Sequence, residues 1–297
     1  MTERPSPLLV GAQTSCQEGT EAPSARWTGM NASELAAAET PFVLRRNDSC
    51  VVTLTLNRGE RFNPLSAAMV EALERELDAL AADRTARVVV LAGAGKGFCA
   101  GHDLKELRAH SGDRPWQQKL FADCSRMMVK MTEIPQPIIA RVHGIATAAG
   151  CQLVSMCDLA VAADEARFAL PGVNVGIFCS TPAVGVARNI GRKRAMEMLL
   201  TGELFDAPTA LGWGLVNRVV PAASLDAEVA RLANIVRARS GKVVATGKRA
   251  FYRQIDQPLE AAYATTSESM ALSMLQPNAA EGIDAFVEKR PARWPER

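Results

Sequence analysis

The chain has 297 residues, enough to bury a large core as one domain or as one domain with appended helices. Its 34 Lys and Arg stand against 32 Asp and Glu, and a net charge of only +2 argues against a polyanion such as nucleic acid as partner. Although 48% of the residues are apolar, no apolar run reaches the roughly 18 residues that a membrane-crossing helix needs, so no membrane partner is expected. Seven scattered cysteines without a CxxC pair read as free thiols in a reducing, cytoplasmic setting. The three histidines, His102, His110 and His143, are too few for a His-rich centre, and no metal is expected.

Residues 1–40 are rich in Pro, Ser, Thr, Ala and Glu and carry little hydrophobic periodicity, which predicts a flexible N-terminal arm. The acids Glu3, Glu18, Glu21 and Glu34 are unlike a transit peptide, and no secretory core is present. Order is expected from Phe42. Cys50 to Leu56 alternates and is β-branched, as a strand requires. Ser66 is a helix N-cap, followed by Met69, Val70, Leu73, Leu77 and Leu80 at three- and four-residue spacings. Arg87 to Ala92 is an unbroken apolar run, the pattern of a strand buried on both faces in a parallel sheet.

A first glycine loop, Gly95 to Leu107, follows that strand. Trp116 to Met131 predicts a helix, stopped by Pro135 and Pro137. Ile138 to Val142 is a further buried strand and runs into a second small-residue loop, His143 to Leu153, whose end opens a short helix over 149–157. Strands are expected at 158–163 and 167–170. Beyond Pro182 the character is helical, with helices at 191–200 and 207–213, an extended segment at 214–221, and two or three more helices ending near Arg290. Strand, helix, strand and glycine loop is α/β grammar. The chain therefore divides into the arm at 1–40, a core at 41–220 and a C-terminal helical region at 221–297.

The two loops share a physical property. Each narrows to small residues and opens into a helix, so each presents backbone N–H groups without intrahelical partners at the positive end of a peptide dipole. Two such ends facing one point would hold a developing oxyanion.

Phe98 to Leu107 resembles the "FxAGxDLxEL" segment of the enoyl-CoA hydratase/isomerase (crotonase) superfamily. Residues 57–65, 137–158, 168–176, 214–221 and 286–290 are similar to the family in order and spacing, and the motifs at both loops and after Leu170 are most like its domain-containing protein 3 group. The resemblance implies an α/β, crotonase-like spiral of ββα units with a C-terminal helical trimerisation region, assembled as a homo-trimer or a dimer of trimers. It implies an acyl-CoA thioester as ligand, with coenzyme A as part of the substrate and no separate cofactor. Its oxyanion-hole amides fall on His102 and Ala149, and Arg61, Ala100, Asp103 and Leu104 join them in binding the substrate.

The family's two catalytic glutamates fall on Gln152 and Gly172. A carboxamide neither takes nor gives a proton at neutral pH and glycine has no side chain, so two-glutamate hydration is not expected here. Gln152 remains a polar group in the catalytic slot, and the His102 imidazole is a candidate replacement. Cys179 would need a depressed pKa to act as a nucleophile. The resulting expectation is an acyl-CoA enzyme of hydratase/isomerase type, working by enolate stabilisation in fatty acid or related acyl-CoA metabolism. The alternatives are a non-catalytic acyl-CoA-binding protein, or a decarboxylase or thioesterase of the same fold.

Overall fold

The computed structural model describes residues 40–295. The arm expected over 1–40 therefore lies, apart from Thr40, outside the described residues. Strands β1 (Val43–Asp48) and β2 (Val51–Leu56) form an antiparallel hairpin. In β2 the side chains of Val52, Leu54 and Leu56 enter the core while Thr53 and Thr55 face the other way, the period-two pattern read from sequence. No strand was expected at β1, because Arg45, Arg46 and Asp48 mask its alternation; such charges suit the sheet edge it occupies.

Helix α1 (Ala67–Ala82) starts where Ser66 accepts a hydrogen bond from the Met69 amide at 3.2 Å, and it buries Met69, Val70, Leu73, Leu77 and Leu80. It leads to β3 (Val88–Gly93), which lies parallel between β2 and β4 (Ile138–Val142) and is buried on both faces, as predicted. Between β3 and β4 come α2 (Leu104–Ala109) and α3 (Arg114–Glu133), the latter packed on α1. After β4 the chain adds β5 (Ile145–Thr147), α4 (Ala149–Met156), β6 (Leu159–Ala163) and β7 (Arg167–Ala169). With β8 (Phe205–Asp206) and β9 (Arg218–Val220), the strands make a six-stranded sheet ordered β1-β2-β3-β4-β6-β9 and a three-stranded sheet ordered β5-β7-β8. This is the α/β architecture that the order of strands, helices and glycine loops predicted.

Helices α5 (Ser180–Asn189), α6 (Arg192–Thr201) and α7 (Ala207–Trp213) complete the core. Four helices follow rather than two or three: α8 (Leu225–Arg237), α9 (Gly241–Gln254), α10 (Leu259–Met274) and α11 (Pro277–Val287). The first of these lies on the sheet, its Leu225, Val229 and Ala233 packed against Val88, Val90, Ile139 and Val161. Buried Lys248 pins α9 to the core by donating to the Met131 and Gln136 carbonyls, both at 2.9 Å, and to Asp158 at 2.7 Å. Among the described residues no helix is long and apolar enough to cross a membrane. Cys99, Cys124, Cys151, Cys157 and Cys179 are free and buried, whereas Cys50 is disulfide-bonded, which corrects the expectation of free thiols at that position.

Candidate active site

The two small-residue loops run side by side. Cys99 and Ala146 form a parallel bridge, the Thr147 amide donates to the Cys99 carbonyl at 3.0 Å, and the Thr147 hydroxyl donates to the Ala100 carbonyl at 3.0 Å. The first loop is held from below by Asn63, which is fully buried. The two N–H groups of its Nδ2 are shared among the carbonyls of Ala94 and Gly97 at 2.9 Å and of Phe98 at 3.0 Å, and its Oδ1 accepts from the Arg58 amide at 2.9 Å. Asn63 has a positive φ of 52°, a conformation that asparagine adopts more readily than most residues. The sequence reading did not single it out.

Between the loops the backbones nearly touch. A Cβ built on Gly101 would fall 2.8 Å from the Ala148 Cβ and 3.3 Å from the Ala149 nitrogen, and Gly101 has a φ of 96°. Only glycine lets the chain pass there. Ala148 also has a positive φ, 49°, which turns the chain so that Ala149 becomes the first residue of α4. Strained backbone of this kind is kept where the surroundings over-determine it, often at functional sites. Neither the His102 amide nor the Ala149 amide donates to another group among the described residues, whereas the adjacent Ala100 and Ala148 amides donate to the Phe62 and Ala169 carbonyls, each at 2.9 Å. Gly101, the residue before His102, thus abuts the start of α4, and the amides of His102 and Ala149 are both left unspent there.

The remaining predicted residues divide in two groups. Gln152 is buried one turn into α4, and its Oε1 has no hydrogen-bond partner. Gly172 lies in a one-turn 3₁₀ helix, and a Cβ there would stand 2.9 Å from the Cys179 sulfur and collide with the Ile177 carbonyl oxygen. Burial pushes the Cys179 thiol up, against a hydrogen bond from the Gly172 amide. The thiols of Cys99 and Cys151 are pushed up to about 12 by burial.

At the rim, Arg61 donates to Asp103 at 2.6 Å, and the Asp103 carboxylate also caps α2 by accepting from the Lys105 amide at 3.0 Å and the Glu106 amide at 3.4 Å. The Ala100 backbone is spent within the loops, and Leu104 is exposed beside them.

His102 carries more than its amide. Its Nδ1 lies 2.9 Å from the Leu65 carbonyl, which can only accept, so Nδ1 bears the proton. Its Nε2 is buried without a partner, and the ring meets Phe121 of α3 edge-on at 5.3 Å. Burial holds its pKa below the usual histidine value, with the Leu65 hydrogen bond opposing. Elsewhere, a groove of about 820 Å³ lies on the face of the sheet that carries α8, bounded by Thr53, Thr55, Arg141 and Asp226. It holds none of the predicted site residues.

Comparison with known proteins gives a consistent result. The family model described as "Enoyl-CoA hydratase/isomerase" matches residues 46–297. "Enoyl-CoA hydratase domain-containing protein 3, mitochondrial" of Homo sapiens is 44% identical over 241 residues, covering 81% of this chain and 79% of that protein. Its Xenopus laevis counterpart is 42% identical over 255 residues, 86% of each chain. A crystal structure of an enoyl-CoA hydratase from Mycobacterium smegmatis is similar at 53% identity and a TM-score of 0.84, covering 86% of this chain and 100% of that one. The human domain-containing protein 3 structure gives 42% identity and a TM-score of 0.82, covering 85% and 100%.

Proposed function

The chain belongs to the enoyl-CoA hydratase/isomerase family, and from that premise we propose that it binds an acyl-CoA thioester and stabilises its enolate on the amides of His102 and Ala149. One observation carries this reading: Gly101 abuts the Ala149 nitrogen while neither amide is spent in the fold. In a site shut off from water, two preorganised donors stabilise a developing oxyanion without reorganising at the moment of reaction. Gln152 orients the acyl group from one turn into the helix, and Arg61, Ala100, Asp103 and Leu104 line the coenzyme A side. No separate cofactor is required, because coenzyme A is part of the substrate. The family's hydration chemistry needs two carboxylates that Gln152 and Gly172 do not supply, so the reaction we propose is one of proton movement or bond cleavage at the enolate, in fatty acid or related acyl-CoA metabolism.

The same proposal includes a homo-trimer or a dimer of trimers, built on the apolar surface of α10 and α11. A cytoplasmic setting belongs to it as well, although the vertebrate relatives are named mitochondrial. The absence of both glutamates favours a second reading, a protein that binds acyl-CoA without turning it over; decarboxylase and thioesterase activity are the other outcomes that the substrate panel distinguishes.

A mixed panel of enoyl-, saturated and malonyl-type CoA thioesters, incubated with the protein and followed by mass spectrometry, tests the reading. Proline is tolerated at the first helical position but has no N–H. Ala149→Pro is therefore expected to slow any conversion about 10²–10³-fold. Failure of the wild-type protein to bind any member of the panel would overturn the assignment.

A further inference from the structure

With both glutamate slots empty of carboxylate, the enolate chemistry proposed above still needs a group to hold the proton. The titratable side chains around the loops can be taken in turn. The Asp103 carboxylate is engaged by Arg61 and by the first turn of α2. Glu106 accepts from the Ala67 amide at 2.9 Å and so caps α1. Burial pushes the thiols of Cys99, Cys151 and Cys179 up, and protonated thiols are poor proton acceptors.

His102 differs from all of these. The Leu65 carbonyl fixes its proton on Nδ1, which leaves a lone pair on Nε2 that nothing else uses. A histidine whose Nδ1–H is tied to an acceptor while Nε2 stays free has the arrangement of a general base with its orienting partner. Ring and amide also belong to one residue. Nε2 is buried in the free protein, so the proposal requires the acyl chain to enter beside the ring when the amide of the same residue holds the thioester oxygen.

We propose that His102 is the general base of this site, with the Leu65 carbonyl as its positioning group, and that the substrates are acyl-CoA thioesters with a hydrogen on the carbon beside the carbonyl. The inference rests on the acyl-CoA reading. That C–H bond breaks, its electron pair moves onto the carbonyl oxygen held by the His102 and Ala149 amides, and the proton goes to Nε2. The imidazolium either trades that proton with solvent and protonates the same carbon, giving exchange, or delivers it to the carbon two positions along an enoyl chain, giving double-bond isomerisation. No oxidant or reductant enters; water takes part only in exchange, as the source of the replacing proton. The groups that face the ring are the Leu65 carbonyl and Phe121, and burial is the main cause of the lowered pKa. The base form therefore persists below the ordinary value of 6.5.

The test is uptake of deuterium from heavy water at the carbon beside the carbonyl of butyryl-CoA, read by mass spectrometry, alongside binding of the same thioester by calorimetry. Wild type is expected to exchange, with a rate that falls on the acid side at a midpoint below 6.5. His102→Asn retains a side-chain N–H for the Leu65 carbonyl and the backbone amide for the oxyanion, but has no Nε2. It is expected to bind within about threefold of wild type and to exchange about 10²–10⁴-fold more slowly. Exchange at the wild-type rate in His102→Asn would refute the proposal. So would a wild-type protein that binds butyryl-CoA and exchanges nothing, a result that needs no variant to fold. Absence of binding would instead overturn the acyl-CoA reading on which the inference stands.

Discussion

At the residue scale, the site depends on how closely two backbones approach. Gly150, the second residue of α4, packs so tightly under the first loop that an added Cβ would collide with the Cys99 carbonyl oxygen and stand 2.9 Å from the Cys99 Cβ. Neither contact is a flexible side-chain end, so the loop itself must move. Gly150→Ala is expected to cost about 1–3 kcal/mol, the usual range for overpacking. At about 2–4 °C per kcal/mol for a chain of this size, calorimetry should show a Tm lower by about 2–12 °C. Moving the His102 amide by about an ångström relative to the Ala149 amide should also cut turnover about 10²-fold, since catalysis is sensitive to such misplacement. An unchanged Tm and rate would mean that the loops do not need this approach. Asn63 belongs to the same argument: one amide side chain with four hydrogen bonds sets the height of the first loop.

At the scale of an element, the two positions that the resemblance sets in the family's glutamate slots differ in how readily they could carry a carboxylate. Gln152 is a simple replacement within α4, but Gly172 sits in a turn that has closed around it. The Ile177 amide donates to the Gly172 carbonyl at 2.9 Å, and the Cys179 sulfur occupies the direction a side chain would take. Restoring both acids by Gln152→Glu and Gly172→Glu is therefore expected to lower the Tm by about 2–10 °C without yielding a hydratase. Loss of enoyl absorbance on incubation with crotonyl-CoA reports hydration directly. A stable double variant that hydrates crotonyl-CoA at an ordinary enzymatic rate would show that the turn is no obstacle.

For the whole molecule, the informative surface is the C-terminal one. Leu259, Tyr263, Leu275, Phe286 and Val287 on and around α10 and α11 are exposed, Leu275 at 79% and Phe286 at 84%. A surface of this kind marks an interaction site. The proposed homo-oligomer would bury it, whereas α8, lying on the sheet, needs no partner. Light scattering after size exclusion is expected to give a trimer or hexamer for wild type and a monomer for the Leu275→Glu, Phe286→Glu double variant. A wild-type monomer would remove the assembly from the proposal.

Much of this was legible in the sequence. Period-two and period-3.6 patterns located β2 and the apolar face of α1, because burial on one side leaves its repeat in the chain, and unbroken apolar runs located β3 and β4, which are buried on both faces. The capping role of Ser66, the stop at Pro135 and Pro137 and the two small-residue loops were legible for the same local reason. Strand β1 was not, since an edge strand needs no apolar repeat, and the C-terminal region was read as two or three helices where there are four. Other features were decided only by the tertiary structure: the Leu65 carbonyl that sets the His102 tautomer, the Cys179 sulfur beside Gly172, and the approach of Gly101 to Ala149. Each joins segments separated along the chain, and a linear pattern records what a residue prefers beside it, not which distant atom the fold will bring within bonding distance.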